Sequence, residues 1–147
     1  MASVLESFGF KFINYPGSEA FSEEVHCSQA VIVPPHARTV TLSGQVGVLA
    51  DGSIPNGLTT ELDLCFQNVK KALIAAGLGE NACEYIYDAT FYFKDQDRVT
   101  ACIVDIMKNY FGNTRPAVLG FEAGKLAFPD SHVEMKVTAF VPPQARL

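Results

Sequence analysis

Two stretches with helical spacing, separated by a run that alternates, constrain this chain more than any other feature. Leu62, Phe66, Val69, Leu73 and Ala76 recur every three or four residues, with Cys65 and Ala72 flanking the same face. Thr59 or Thr60 can cap the start, Asp63 puts a negative charge in the first turn, and Gly77 and Gly79 supply the stop. The helical period returns from Gln96 to Phe111, with Val99, Ile103, Ile106, Met107 and Tyr110 as the stripe and Gly112-Asn113 as the end. Between the two, Tyr85 to Lys94 alternates. Tyr85, Tyr87, Ala89, Phe91 and Phe93 take one side, and Ile86, Asp88, Thr90, Tyr92 and Lys94 the other. Helices placed between strands in this way are crossovers packed on one face of a mixed sheet.

The flanks supply the remaining strands. Phe8 to Ile13 reads as a strand ended by Tyr15-Pro-Gly-Ser18, and residues 17–25 read as loop with a turn at Ser22-Glu-Glu24. Further strands are Ser28 to Val33, Arg38 to Gly44 with Gln45 to Leu49 as its extension, Ala117 to Ala123, and Val133 to Val141. Pro34-Pro35-His36 and Ala50-Asp-Gly52 break the chain between them. Pro116 biases Arg115 to an extended backbone, so the second helix stops before it and a strand follows. Pro142-Pro143 closes the ordered chain. The 147 residues are expected to form one α+β domain, 1–147, with both helices on one sheet face. The other face carries Thr90, Tyr92, Thr138 and Phe140, too mixed for free solvent and too polar for a dry core. Such a face predicts self-association.

Charge and cysteine usage narrow the function. Net charge is −5 and no Lys/Arg run exceeds Lys70-Lys71, whereas nucleic-acid affinity rests on clustered cations. No nucleic-acid partner is expected. No stretch is apolar enough to span a membrane, and the N-terminus has neither a signal-peptide core nor an arginine in its first fifteen residues. The expected location is the cytoplasm, with no membrane partner. Cys27, Cys65, Cys83 and Cys102 lack ligand spacing, and Cys65 and Cys102 fall within the helices as buried free thiols. His26, His36 and His132 are too dispersed for a metal site, and Asp51-Gly52 and Leu78-Gly79 read as turns, not a phosphate loop. No metal and no cofactor is expected. His26 is a poor base for Cys27, because neighbours on a strand face opposite ways.

Seven fragments together carry a resemblance: Ser28-Gln-Ala-Val-Ile-Val33, Thr41-Leu-Ser-Gly-Gln45, Ala75-Ala-Gly77, Tyr110-Phe111, Arg115-Pro-Ala, Leu126-Ala-Phe-Pro129 and Val133-Glu-Met135. In this order and spacing, from about Cys27 onward, the chain resembles the Rid (YjgF) proteins, trimeric enamine/imine deaminases and their non-deaminase relatives. The resemblance implies a chorismate mutase-like fold with a mixed sheet of six-stranded type. It also implies a homotrimer whose sheets form a central barrel, with ligand clefts between neighbours. Some Rid relatives have been called endoribonucleases, a role that this composition does not support.

The resemblance also assigns a site. In the deaminases the cleft holds a tyrosine, the Ser-Gly of Ser-Gly-Gln, an asparagine on the second helix, an arginine directly after Pro-Ala, and a glutamate. The matching positions here are Cys27, Ser43 and Gly44, Val104, Val118, and Glu134. An arginine grips a substrate carboxylate through two parallel charge-assisted hydrogen bonds, which a valine cannot make. A carboxylate left among Val104 and Val118 would incur roughly the 3–5 kcal/mol of an orphaned buried charge. Arg115 reads either as a surface residue before proline or as a reach into a neighbour's cleft. Glu134 points opposite to Val133, Met135 and Val137; there it can hold a proton near neutral pH, position a water, or simply bond the Ser-Gly-Gln backbone. His132, in an insertion around Pro129-Asp-Ser-His132, reads as a loop residue. The expected function is a Rid-like homotrimer that binds a small, relatively apolar metabolite between subunits and hydrolyses an imine, enamine or related electrophile, with Glu134 placing water. The alternatives are a non-catalytic metabolite- or partner-binding homologue and a specialised biosynthetic enzyme with a rebuilt cleft; whether the chain is an enzyme stays open.

Overall fold

Both helical stretches form, each with the apolar stripe inward. In the computed structural model, which describes residues 1–145, they are α2 (Leu58–Ala75) and α3 (Gln96–Phe111). Leu62, Cys65, Phe66, Val69 and Leu73 of α2 are buried against Val99, Ile103, Ile106, Met107 and Phe111 of α3. Phe66 is the centre of this packing. Its ring stacks on Tyr110 at 4.9 Å and meets Phe111 at 5.5 Å and Phe91 at 5.9 Å. Such aromatic contacts add about 0.5–1.5 kcal/mol each beyond the area they bury. The start of α2 differs from expectation. Its cap is Gly57, with no side-chain hydrogen bond, and Glu61 is the acidic residue of the first turn. Asp63 instead accepts the Tyr110 hydroxyl at 2.7 Å, tying α2 to α3. Asp95 caps α3 by accepting from the Arg98 N–H.

The sheet beneath them is mixed, as expected, but its strand count is not six. Five strands form one sheet in the order β3-β7-β5-β6, with β4 also paired to β7. These are β3 (Thr39–Thr41), β4 (Gln45–Val46), β5 (Ile86–Phe93), β6 (Ala117–Glu122) and β7 (Val133–Phe140). Among the described residues only β5 and β6 run parallel, joined by the α3 crossover. The first two strands, β1 (Lys11–Ile13) and β2 (Ala30–Ile32), pair with each other instead of joining this sheet. The long strand expected from Arg38 to Leu49 splits at Leu42-Ser43-Gly44 into β3 and β4, both on the same side of β7.

Three further departures have local causes. Val4–Phe8 is a 3-10 helix, capped by Ser3 and closed reciprocally by Glu6, so only the end of the expected first strand forms. Glu19–Glu24 is a short helix, α1, where a loop was expected. A register shift between Ile86 and Asp88 breaks the strict alternation of β5. Ile86 thereby joins the main core, fully buried, and Tyr87 packs into a second cluster with Phe10 and Phe140. A bulge exchanges inside for outside at one residue, which periodicity alone does not show.

That second cluster also corrects the reading of the open sheet face. Phe140 is covered by Phe8 and Phe10, whose rings lie 4.9 and 5.2 Å away. The remainder of the face carries Thr90, Tyr92, Glu134, Lys136 and Thr138, together with Leu119 and Phe121 from β6, 58% and 41% exposed. Beyond Pro142-Pro143, where the ordered chain was expected to close, Ala145 turns back to bond the Pro142 carbonyl and packs against the core.

Candidate functional site

The edge between α3 and β6 opens into an apolar cleft of about 220 Å³. Parallel pairing puts Val118 beside Ala89 and Gly120 beside Phe91, on the helix side of the sheet. Val104 faces them from α3, and Phe91 and Phe93, stacked at 5.9 Å, form part of the lining. The remaining wall comes from Phe21 and Val25 at α1, from Cys27 just after it, and from Ile103 and Met107 of α3, with Gln96 and Thr100 as polar groups at the start of that helix. Phe21 and Val25 are four residues apart, a single helical turn, too short a period to mark a helix in the sequence. No charged side chain is among the described residues lining the cleft.

Cys27, Val104 and Val118, assigned separately by resemblance, therefore share one cleft. Burial raises the Cys27 thiol above its ordinary range, opposed by a hydrogen bond with Ser22 and the charge of Arg115. It is a thiol at neutral pH, not an activated nucleophile. The strand argument about His26 does not hold, because both residues lie in the turn after α1. His26 has φ +55 and lines a different pocket from Cys27.

Ser43, Gly44 and Glu134 gather elsewhere. Glu134 lies on the open face of β7, opposite Tyr92 on β5 and Val46 on β4. Its side chain crosses Gly44 so closely that a Cβ there would come 3.0 Å from the carboxyl carbon. Glycine at 44 is thus required by the approach of Glu134. Ser43 is exposed at the same corner. Within one chain this corner and the apolar cleft lie at opposite edges of the sheet, with β7 and β5 between β3/β4 and β6. Arg115 joins neither group. Its guanidinium bonds Glu23 at 2.5 Å, the main reason the Glu23 carboxyl is held below its usual range.

The sequence reading missed one constellation. Glu61, 1% exposed, accepts the His132 backbone N–H at 2.6 Å and pairs with His132 Nδ1 at 2.7 Å. Ser131 reaches the same carboxylate at 3.4 Å. His132 is therefore anchored where β7 begins, two residues ahead of Glu134, and is not a free loop residue. Gly47 makes room for this, since a Cβ there would stand 2.8 Å from Glu61 Cγ. The signal available was a glutamate at the start of an apolar helix stripe. Among the described residues no group of three His, Cys, Asp or Glu is arranged to hold a metal ion, and no helix is long and apolar enough to cross a membrane.

This arrangement of sheet and helices has known counterparts. The profile of a protein family described as endoribonuclease L-PSP matches residues 17–141. The chain belongs to that family, the Rid (YjgF) family, and has its α+β, chorismate mutase-like fold. A Yersinia pestis Rid-family protein of unknown function, YyfB, superposes with a TM-score of 0.75 at 24% identity, covering 90% of this chain and 98% of its own. A Mycobacterium tuberculosis member of the YjgF family gives 0.60 at 20% identity, over 90% and 100%. Escherichia coli TdcF, solved with bound serine, gives 0.62 at 26% identity, over 75% and 85%. Comparison with curated protein sequences returns no match.

Proposed function

We propose that copies of this chain associate so that the α3/β6 edge of one meets the Ser43-Gly44-Glu134 corner of the next. The joined site would bind a small, uncharged, largely apolar metabolite. The observation that carries this reading is the lining of the cleft: Cys27, Val104 and Val118 stand beside Phe91 and Phe93, with no cation to meet a carboxylate. The two edges of the sheet supply complementary halves, and the exposed Leu119 and Phe121 support burial of the open face against another copy. TdcF was solved with serine, which supports a small-molecule ligand; serine carries a carboxylate, and this cleft selects against one. The net charge of −5 speaks for a metabolite over an RNA substrate, whatever the family's description.

In the catalytic form of the proposal the ligand is an imine. Glu134 takes a proton from water as the water oxygen bonds to the imine carbon, and the carboxyl returns that proton to the nitrogen. Glu134 then carries the hydroxyl proton of the resulting carbinolamine to its nitrogen as the C–N bond breaks and the C=O bond forms, releasing ammonia and the carbonyl product. A second reading, a binder without turnover, is favoured by one observation: Glu134 and the cleft are not joined within a single chain.

One experiment separates them. Imines are generated in situ from benzylamine by a flavin amine oxidase, and their hydrolysis is followed with wild type and with Glu134→Gln. Acceleration by wild type alone supports the enzyme. Thermal stabilisation by benzaldehyde or benzyl alcohol without acceleration supports the binder, because a ligand of the folded state raises its melting temperature by mass action. The absence of both effects would sink the apolar site.

A further inference from the structure

A pocket of about 400 Å³ opens at the Phe140 end of the sheet, beside β3, the edge strand opposite β6. No residue lines both this pocket and the apolar cleft. Its wall is apolar and stiff. Phe8 and Phe140, with ring centres 4.9 Å apart, stand there with Pro34, Pro35 and Pro143. Proline has its φ already fixed, so such a wall has little freedom left to lose when a ligand arrives. The size and the apolar lining suit a small organic molecule with a single ring.

The polar side of the pocket has one sign. Arg38 and His36 contribute to it, and no Asp or Glu is among the described residues that line it, in a chain of net charge −5. Salt bridges among the described residues use Lys70, Arg115 and His132, which leaves the Arg38 guanidinium without one. Its backbone is nonetheless fixed against the wall. The Arg38 carbonyl accepts the Val141 N–H at 2.8 Å, and Thr39 pairs with Phe140. His36 is held in a less favourable way. The Ala37 N–H donates to the Pro34 carbonyl at 3.3 Å, closing a turn with Pro35 second and His36 third, and His36 has φ +64. That is the pattern of a type II turn, whose third position ordinarily takes glycine or asparagine. A histidine kept there against local preference, at the mouth of a pocket, points to a contact that its side chain makes.

We propose that this pocket binds a small aromatic acid, one ring with a carboxylate on a short arm. The ring lies against Phe8, Phe140 and the prolines, where flat apolar walls and aromatic edges favour a planar partner. The carboxylate accepts from the fork of the Arg38 guanidinium, and also from His36, whose imidazole carries an N–H in either protonation state. The two pockets then divide ligands by charge: the α3/β6 cleft has no cation, and this one has a cation with no carboxylate beside it. The site does not depend on the proposed function, and it stands or falls by itself.

Three probes test it by titration in 1H–15N spectra at pH 7 and fixed ionic strength. Phenylacetate has the ring and the charge, phenylacetamide the ring alone, and acetate the charge alone. Phenylacetate shifts the backbone N–H signals of Ala37, Arg38 and Val141 and binds about tenfold more tightly than phenylacetamide, the worth of one charge-assisted hydrogen bond. Acetate leaves those signals in place at the same concentration. Arg38→Gln, a change at an exposed side chain, brings phenylacetate down to the level of phenylacetamide. His36→Gly weakens phenylacetate without lowering the melting temperature, since glycine takes this φ without strain. Equal binding of phenylacetate and phenylacetamide, or a phenylacetate affinity that both variants leave unchanged, overturns the proposal. Phenylacetate shifts confined to Val104 and Val118 also overturn it, and would separately contradict the uncharged ligand proposed for the α3/β6 cleft.

Discussion

In the proposed function, Val118 is the residue that sets which ligands the cleft accepts. It occupies the strand position after Pro-Ala, its side is set by pairing with Ala89, and it lines an apolar cleft. Val118→Arg should therefore confer carboxylate binding: pyruvate affinity, measured by titration calorimetry, should rise from undetectable to millimolar or better, a gain of several kcal/mol of the order a charge-assisted pair can supply. Gly44 is the second sensitive position. Gly44→Ala should cost little stability, since the atoms it meets belong to the flexible Glu134 side chain, but it should displace that carboxylate and lower any turnover together with Glu134→Gln. The buried thiols predict a pH effect. Cys65, which donates to the Gln45 carbonyl, and Cys83 are both pushed up from 9.0 to about 12, burial being the leading cause. The unfolded chain loses these protons near pH 9 while the folded one keeps them, so stability falls as pH rises from 9 toward 12. Urea melts at pH 8, 9, 10 and 11 should show a loss of about 1.4 kcal/mol per pH unit for each thiol. Cys65→Ala should flatten part of that slope.

Between elements, the Glu61–His132 pair does what neither could alone: it fixes the start of β7 against the first turn of α2. Glu61→Ala leaves the His132 N–H without its acceptor, a loss of about 1–3 kcal/mol, while the Ser131 hydroxyl keeps the Val133 carbonyl at 2.8 Å. Chemical denaturation should show a lowered midpoint, and hydrogen exchange should quicken first at Val133 and Glu134. The two long helices and β5, β6 and β7 were legible because their apolar periods run for several turns or strand repeats. What escaped was short or depended on distant contacts. The six residues of α1 are too few for a period to declare itself. The shift at Ile86/Asp88 answers to Phe8 and Phe10 arriving from the other end of the chain. His132 looked like loop because its partner, Glu61, lies 71 residues away. Of the site, resemblance located Cys27, Val104 and Val118, which the fold does bring together; no local pattern could show that Arg115 would turn to Glu23 instead.

For the molecule as a whole, the sheet has one face sealed by α2 and α3 and one only partly covered at the Phe140 end. The proposed assembly buries the remainder and joins the two half-sites. Sedimentation of the 16.0 kDa chain should give a defined oligomer, three copies (about 48 kDa) on the family resemblance, and Leu119→Glu should shift it toward monomer. The central claim, however, concerns what the site refuses: a Rid fold whose cleft has no cation cannot hold the carboxylate of an ordinary imino acid. The most direct test is the hydrolysis of 2-iminopropionate, generated in situ by an amino-acid oxidase, with this protein and with an active deaminase of the family in parallel. The account predicts acceleration by the deaminase and none by this chain. Clear acceleration by the wild-type chain would contradict it, and would mean that another group, contributed within or between copies, grips the carboxylate in place of the missing arginine.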